Sequence, residues 1–200
     1  SKETGLELIK DFIKSDALLK DGNEPYPISL RGVNWVKFLA ENSIKDTSIE
    51  KTLYYNYKKL YRNLEYHILG NHLLENAFSL LFGAYYFQDE NFYKKSKNLL
   101  VSELSEQVLE DGGHFELSPM YHQIILLRLL DSIQLYKLNS NWKKDDLISF
   151  LIQKATLMLS WLRNVTYKNG EIPLVNDSTY NVAPKSNNPP FSSAAKAIKI

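Results

Sequence analysis

The chain has 200 residues, 44% hydrophobic and 24% charged, with a formal net charge of +1, which is ordinary for a globular protein. The balanced charge excludes the global basic field with which proteins bind nucleic acid, so we expect no nucleic-acid partner. No apolar run approaches the roughly 20 residues that span a bilayer, and the lack of cysteine excludes disulfides and thiolate metal sites.

Apolar residues recur at helical spacing along most of the chain. From the N-terminus, the spacing predicts helices over residues 6–19, 29–39, 48–66, 71–87, 91–109, 119–138 and 145–162, and a helical end at 192–200. We expect Pro25-Tyr26-Pro27 to be extended, Asn71 to be an N-cap, and residues 171–177 to be extended or irregular. Because no run of strands is evident, the sequence predicts an all-α fold of layered helical hairpins.

The most unusual stretch, residues 111–122, separates two leucine-rich helices. It contains two glycines that permit a tight turn, two histidines, two acids and a tyrosine. Ser118 and Pro119 have the pattern of an N-cap and a first helical residue. Tyr121 would then lie in the first turn, where the helix dipole stabilises an anion by roughly 0.3–1 kcal/mol. A phenol placed there is a candidate acid or base.

A second irregular helix start is Gly70-Asn71-His72. In antiparallel hairpins, two helices separated by one returning helix begin at the same end of the domain. The sequence therefore predicts that Asn71, His72 and Tyr121 share one rim, where two positive helix ends favour a carboxylate.

Other polar residues are candidates for lining a substrate site. Arg31 and Asn34 lie three residues apart beside Trp35, and they could contact a sugar or form an exposed polar edge. Glu116, His122 and Asn176 are further candidates for substrate binding. His122 could equally be structural and donate to a loop carbonyl.

Some of these residues could instead belong to a metal site or to a glycosidase site. His114, Glu116 and His122 are close in sequence but match no standard zinc spacing, so we expect no metal ion. Glu75, Asp111 and Glu116 could supply the acid and base of an inverting glycosidase. For Asp111 and Glu116, turn formation and backbone capping are the simpler interpretation.

Four blocks of the sequence, in this order, resemble the helical domain of heparinase II/III-like polysaccharide lyases, and together they cover most of residues 25–178. The blocks are Pro25-Tyr26-Pro27-Ile28-Ser29-Leu30-Arg31 with Asn34-Trp35; Leu64-Glu65-Tyr66-His67 with Gly70-Asn71-His72-Leu73-Leu74-Glu75-Asn76; Asp111-Gly112-Gly113-His114-Phe115-Glu116 with Ser118-Pro119-Met120-Tyr121-His122; and Gly170-Glu171-Ile172-Pro173 with Asn176-Asp177.

The resemblance implies part of an (α/α) toroid, built of antiparallel helical hairpins, in residues 1–180. Residues 181–200 would be a linker and the start of a helix leading toward a C-terminal β-sheet domain outside this chain. That domain would supply a further histidine or tyrosine, so we expect the chain alone to be inactive. The resemblance also implies a periplasmic or secreted bacterial protein.

The implied activity is cleavage of a uronic-acid-containing polysaccharide, glycosaminoglycan-like or alginate-like, by β-elimination without a cofactor. By the same resemblance, Asn71 neutralises the uronate carboxylate, His72 is its neighbour in the site, and Tyr121 moves protons. Donors from Asn71 and His72 would act as an oxyanion hole does, where one donor contributes roughly 3–4 kcal/mol. The alternative is a glycan-binding or scaffold domain that keeps the fold without turnover.

Overall fold

The computed structural model describes residues 1–15, 21–68 and 70–198, with side chains as far as residue 194. Its helices are α1 (Lys2–Ser15), α2 (Pro25–Glu41), α3 (Thr47–Arg62), α4 (Asn71–Phe87), α5 (Glu90–Gln107), α6 (Pro119–Leu138), α7 (Asp145–Val165) and α8 (Phe191–Ile198), with a 3-10 turn at Ser140–Trp142 before α7. Within the described ranges no residue lies in a β-strand, and one isolated antiparallel bridge joins Val108 and His114. The predicted all-α fold class is confirmed.

The start of α2 and the N-cap of α4 differ from the predicted ones, whereas the bounds of α4 are the predicted ones. The prediction of an extended Pro25-Tyr26-Pro27 is wrong, because α2 begins at Pro25, where a missing N–H group needs no partner. The N-cap of α4 is Gly70 rather than Asn71, since its φ of 97° and ψ of −149° suit only glycine. Asn71 is therefore the first residue of α4.

The remaining boundaries lie close to the predicted ones. Helix α6 has the predicted bounds, whereas α3 ends at Arg62 rather than near residue 66, and the Asn63 side chain there donates to the carbonyl of Lys59. Helix α7 runs on to Val165. The last part of the predicted first helix, residues 16–19, and the last two residues of the predicted C-terminal helix lie outside the described residues.

The chain forms two compact units, of which the first is Ser1–Ser96. In this unit α2 packs closely on α4 and α3. The Tyr57 ring of α3 lies so near Gly83 of α4 that a Cβ there would come within 2.7 Å of it. Every residue of 71–85 except His72 is buried, so this helix is enclosed on most sides.

The second unit is Lys97–Ile200, so the boundary between the units falls inside α5. Here α6 packs along α7, and α8 packs on α7. Leu126 and Leu129 of α6 and Met158 of α7 have no exposed surface. The predicted division of the chain at residue 180 stays a prediction.

Among the residues that the structure describes, no helix combines the length and apolar character that crossing a bilayer requires.

Candidate active site

His72 is the one residue of the fully described stretch 71–85 that is not buried. Its side chain is 36% exposed, and its ring stacks on that of Tyr26 with centroids 4.3 Å apart and planes inclined by 26°. Its Nδ1 atom lies 3.4 Å from Oε1 of Glu65. The imidazole is thus held on one side by an aromatic ring and at one nitrogen by a carboxylate.

A buried polar network surrounds that carboxylate. Asn76, one turn after His72, donates through Nδ2 to Oε2 of Glu65 at 3.0 Å and accepts from the Glu65 backbone N–H at 3.1 Å. The same Nδ2 lies 3.1 Å from the hydroxyl of Ser29, and the Ser79 hydroxyl donates to the Ser29 carbonyl. Glu65, Asn76, Ser29 and Ser79 are all buried, so the network fixes the Glu65 carboxylate against α4 and links it through Asn76 to Ser29 of α2.

Asn71 precedes His72 at the first helical position of α4, and 9% of its surface is exposed. Asn71 thus belongs to the first turn of the helix, whose backbone N–H groups have no partner within the helix and favour an anion. Asn71 and His72 belong to the first unit and Tyr121 to the second. The predicted rim that these three residues share stays a prediction.

Tyr121 lies in the first turn of α6, as predicted. Ser118 is the N-cap, with an extended backbone, and its hydroxyl accepts from the Tyr121 N–H at 3.4 Å. Pro119 is the first helical residue, and the Tyr121 side chain is partly exposed. The predicted cap is therefore confirmed, and a phenol lies at the positive end of α6.

The loop around residue 177 is hydrogen-bonded to this helix start. Asn176 donates through Nδ2 to the Leu117 carbonyl at 2.6 Å. The Ser178 hydroxyl lies 2.9 Å from that of Ser118 and accepts from the Met120 N–H at 3.3 Å. The amide of Asn176 thus holds the loop, and a role in substrate binding stays a prediction. Ser178 carries no sequence signal, because its partners lie about 60 residues earlier.

The turn before α6 depends on both glycines, for different reasons. Gly112 has a φ of 90°, and a Cβ on it would lie 2.3 Å from the Leu157 carbonyl oxygen. Gly113 leaves room for the Trp161 indole, whose Nε1 would be 2.9 Å from a Cβ. Oδ1 of Asp111 accepts from the Gly113 N–H at 2.8 Å, so its observed contact is turn formation, which supports the simpler interpretation of this acid.

The two histidines of this region are buried. Nε2 of His114 lies 3.1 Å from Oε1 of Gln107, and Nε2 of His122 lies 3.0 Å from the Met158 carbonyl while its ring packs on Trp161. Burial lowers the pKa of His114 from 6.5 to about 4 and that of His122 to about 3, so both rings are neutral at pH 7. This geometry supports the structural interpretation of His122, and contact with substrate stays a prediction.

Three of the other predicted lining residues lie on α2. The Arg31 guanidinium donates to the Gly22 carbonyl at 2.8 Å and lies 4.4 Å from the centre of the Phe12 ring. Trp35 packs edge-on against the same ring and is buried, whereas Asn34 is exposed. Arg31 and Trp35 thus have partners within the first unit.

Glu116, the remaining lining candidate, is half-buried in the second unit. Within the described part of the chain, no group of three or more His, Asp or Glu residues is arranged to hold a metal ion.

Comparison with known proteins adds three findings. The sequence profile of the heparinase II/III N-terminus family matches residues 28–196. A heparin-sulfate lyase from Bacteroides stercoris is 30% identical over 120 residues, covering 56% of this chain and 17% of that protein. The crystal structure of heparinase III aligns with 98% of this chain and 33% of its own, with a TM-score of 0.75 and 18% identity, which shows a shared fold. This chain therefore spans only a minor part of either relative.

Proposed function

The chain belongs to the heparinase II/III family, and we propose that it is the helical part of a lyase that cleaves a uronic-acid-containing polysaccharide by β-elimination. The family relates it to polysaccharide lyases, since the curated relative is a heparin-sulfate lyase. One observation carries the proposal: on a helix that is otherwise enclosed from 71 to 85, the one side chain that is not buried is His72, beside Asn71 at the helix start. An exposed imidazole and an amide at a positive helix end suit an anionic ligand.

In this proposal Asn71 and His72 bind the carboxylate attached to C5 of the sugar. The C5 proton is very weakly acidic while that carboxylate keeps its full negative charge. Hydrogen bonds to the carboxylate oxygens stabilise the enolate-like intermediate more than the ground state, because charge on these oxygens grows as the proton leaves. Such a donor contributes about 3–4 kcal/mol to lowering the barrier in comparable oxyanion sites.

Tyr121 is the proposed acid and base. Its phenolate takes the C5 proton, and the electron pair of the broken C5–H bond forms a double bond between C4 and C5. The C4–O4 bond breaks, and the phenol returns the proton to O4. The products are a chain ending in a 4,5-unsaturated uronate and a chain with a free hydroxyl, and Tyr121 ends as the phenolate with which it began.

The proposal includes partners outside this chain. The substrate is an acidic polysaccharide of the glycosaminoglycan or alginate kind, and a C-terminal β-sheet domain of the same protein supplies a further histidine or tyrosine. A protein encounters long acidic polysaccharides outside the cytoplasm, so the proposal also includes a periplasmic or secreted location.

A substrate screen tests the proposal. The full-length protein is incubated with heparan sulfate, alginate and other uronate polymers, and the ultraviolet absorbance of unsaturated uronate is followed. We expect absorbance to rise with at least one polymer. Binding without any absorbance would contradict the lyase and favour a glycan-binding domain. New reducing ends without the chromophore would indicate a glycosidase.

A further inference from the structure

We infer that Glu65 is a positioning residue that fixes a proton on Nδ1 of the His72 imidazole and leaves Nε2 for the ligand carboxylate. The catalytic meaning of this role rests on the proposed function, whereas the position of the proton is a property of the free protein. Glu65 follows α3 and is separated from His72 by the turn that leads into α4.

The carboxylate of Glu65 is itself immobilised. Its side chain is 6% exposed, its Oε2 accepts from Nδ2 of Asn76 at 3.0 Å, and its backbone N–H donates to Oδ1 of the same residue. Asn76 is held in turn by the buried Ser29. Because both ends of Glu65 are fixed by one side chain on α4, its Oε1 has a defined position relative to His72.

The imidazole is constrained from two directions. Oε1 of Glu65 lies 3.4 Å from Nδ1, and the Tyr26 ring covers one face of the imidazole at 4.3 Å between centroids. An ionised carboxylate only accepts hydrogen bonds, so it favours the tautomer in which Nδ1 carries the proton. In metal sites, a carboxylate that accepts from the N–H of a metal-bound imidazole orients that ring in the same way.

The consequence for the proposed reaction concerns Nε2. With Nδ1 occupied, a second proton on the ring can only enter at Nε2, which then donates to the ligand carboxylate while Glu65 balances the charge of the ring. Without the carboxylate, the ring could rotate or change tautomer and present the wrong nitrogen. Glu65 thus acts through His72 rather than on the substrate.

The variant Glu65→Gln makes this inference testable, because the amide reverses the hydrogen-bond polarity. Its Oε1 can still accept from Asn76, but its NH₂ group then faces Nδ1 of His72 and requires a lone pair there. Nitrogen-15 NMR of the histidine rings, recorded at mildly alkaline pH, distinguishes the two tautomers. We expect the His72 proton on Nδ1 in the wild type and on Nε2 in the variant.

The matched control is Glu50→Gln, which removes a carboxylate from the same unit where it accepts from the Tyr86 hydroxyl. It should leave the His72 spectrum as in the wild type. A wild-type proton on Nε2, or an unchanged tautomer in Glu65→Gln, would overturn the inference. If Glu65→Gln does not fold, the wild-type spectrum alone tests the inference, because it shows which ring nitrogen of His72 carries the proton.

In the full-length protein with a cleavable polymer, Glu65→Gln should lower kcat by roughly tenfold, with a smaller change in KM. The introduced amide occupies the Nδ1 lone pair, so the ring cannot take a second proton, and Nε2 donates to the ligand carboxylate from a neutral rather than a charged imidazole. Full activity in the variant would overturn the positioning role. If the wild type cleaves no polymer, the proposed function fails, and the tautomer measurement still tests the placement of the proton.

Discussion

Glu65 and Asn76 hold each other through two hydrogen bonds of opposite direction. The Glu65 backbone N–H donates to Oδ1 of Asn76 at 3.1 Å, and Nδ2 of Asn76 donates to Oε2 of Glu65 at 3.0 Å. Only an amide side chain offers a donor and an acceptor in this arrangement. The pair links the segment before α4 to the helix itself, one helical turn after the partly exposed His72.

Replacing this amide should be costly for stability. In Asn76→Ala the buried Glu65 carboxylate loses a donor and its N–H loses an acceptor, so we expect the free energy of unfolding to fall by about 3 kcal/mol. Urea denaturation measures the change. The control is the exposed Asn63, whose side chain donates to the Lys59 carbonyl, and Asn63→Ala should cost only about 0.5 kcal/mol. Equal losses in the two variants would contradict the proposed importance of the buried network.

Alanine variants of two glycines with positive φ distinguish the cost of backbone strain from the cost of a steric clash. Gly22 and Gly112 have φ values of 85° and 90°, but a Cβ on Gly22 would meet no atom within 4 Å, whereas one on Gly112 would lie 2.3 Å from the Leu157 carbonyl oxygen. We expect Gly22→Ala to cost about 1–2 kcal/mol from strain alone. Gly112→Ala should cost at least about 2 kcal/mol more, because α7 must also move away. Thermal unfolding of both variants measures these two costs. Similar losses of stability in the two variants would contradict the close approach of Gly112 to α7.

The buried histidines predict loss of stability in acid. Their pKa values in the folded protein, about 4 for His114 and about 3 for His122, lie below the ordinary 6.5, because burial disfavours the charged ring. The unfolded chain therefore binds more protons as the pH falls below about 6.5. Stability should decrease there by up to roughly 1.4 kcal/mol per pH unit for each ring, and neither ring contributes a pH dependence above that range.

Urea midpoints measured between about pH 7 and about pH 5 test this expectation. His122→Gln should show a shallower dependence on pH than the wild type, since one buried ring is gone. His67 is exposed, so His67→Gln should retain the wild-type slope. The same slope in all three proteins would show that His122 does not titrate as its burial implies.

The start of α6 should depend on a serine from a distant loop. Because the Ser178 hydroxyl accepts from the Met120 N–H, Ser178→Ala should speed hydrogen exchange at the Met120 amide by about tenfold, which corresponds to about 1.4 kcal/mol. Thr179 is the exposed neighbour in the same loop, and Thr179→Ala should leave that exchange rate unchanged. If both variants exchange alike, the loop does not hold the helix start.

Local chemistry made much of the fold predictable. Ser118-Pro119 is a self-contained start signal, and the structure has the predicted cap and both bounds of α6. The N-cap of α4 was wrongly assigned to Asn71, because asparagine is the better N-cap by residue type, whereas the backbone at residue 70 takes a conformation that only glycine tolerates. N-cap propensity ranks residues by their side chains, whereas the backbone conformation at residue 70 determined which residue caps α4.

The surroundings of the candidate site could not be predicted in the same way. Glu65 and Asn76 lie within a block of the sequence that resembles the lyases, yet the hydrogen bond from Asn76 to Ser29 joins residues 47 positions apart, which no local pattern encodes. Ser178 reaches Ser118 across 60 residues. His122 has the same residue type as an exposed site histidine, and only its packing against Trp161 and Met158 shows that it is buried.

The most direct test of the central claim is the rate at which full-length Tyr121→Phe forms unsaturated uronate, followed by ultraviolet absorbance. The control is Tyr136→Phe, which removes a hydroxyl from the same helix, where it bonds to Asp145. Removing the acid and base should lower kcat by about 10²- to 10⁴-fold with the fold intact, while the control keeps wild-type turnover. Turnover by Tyr121→Phe equal to that of the wild type would contradict the proposed role of Tyr121.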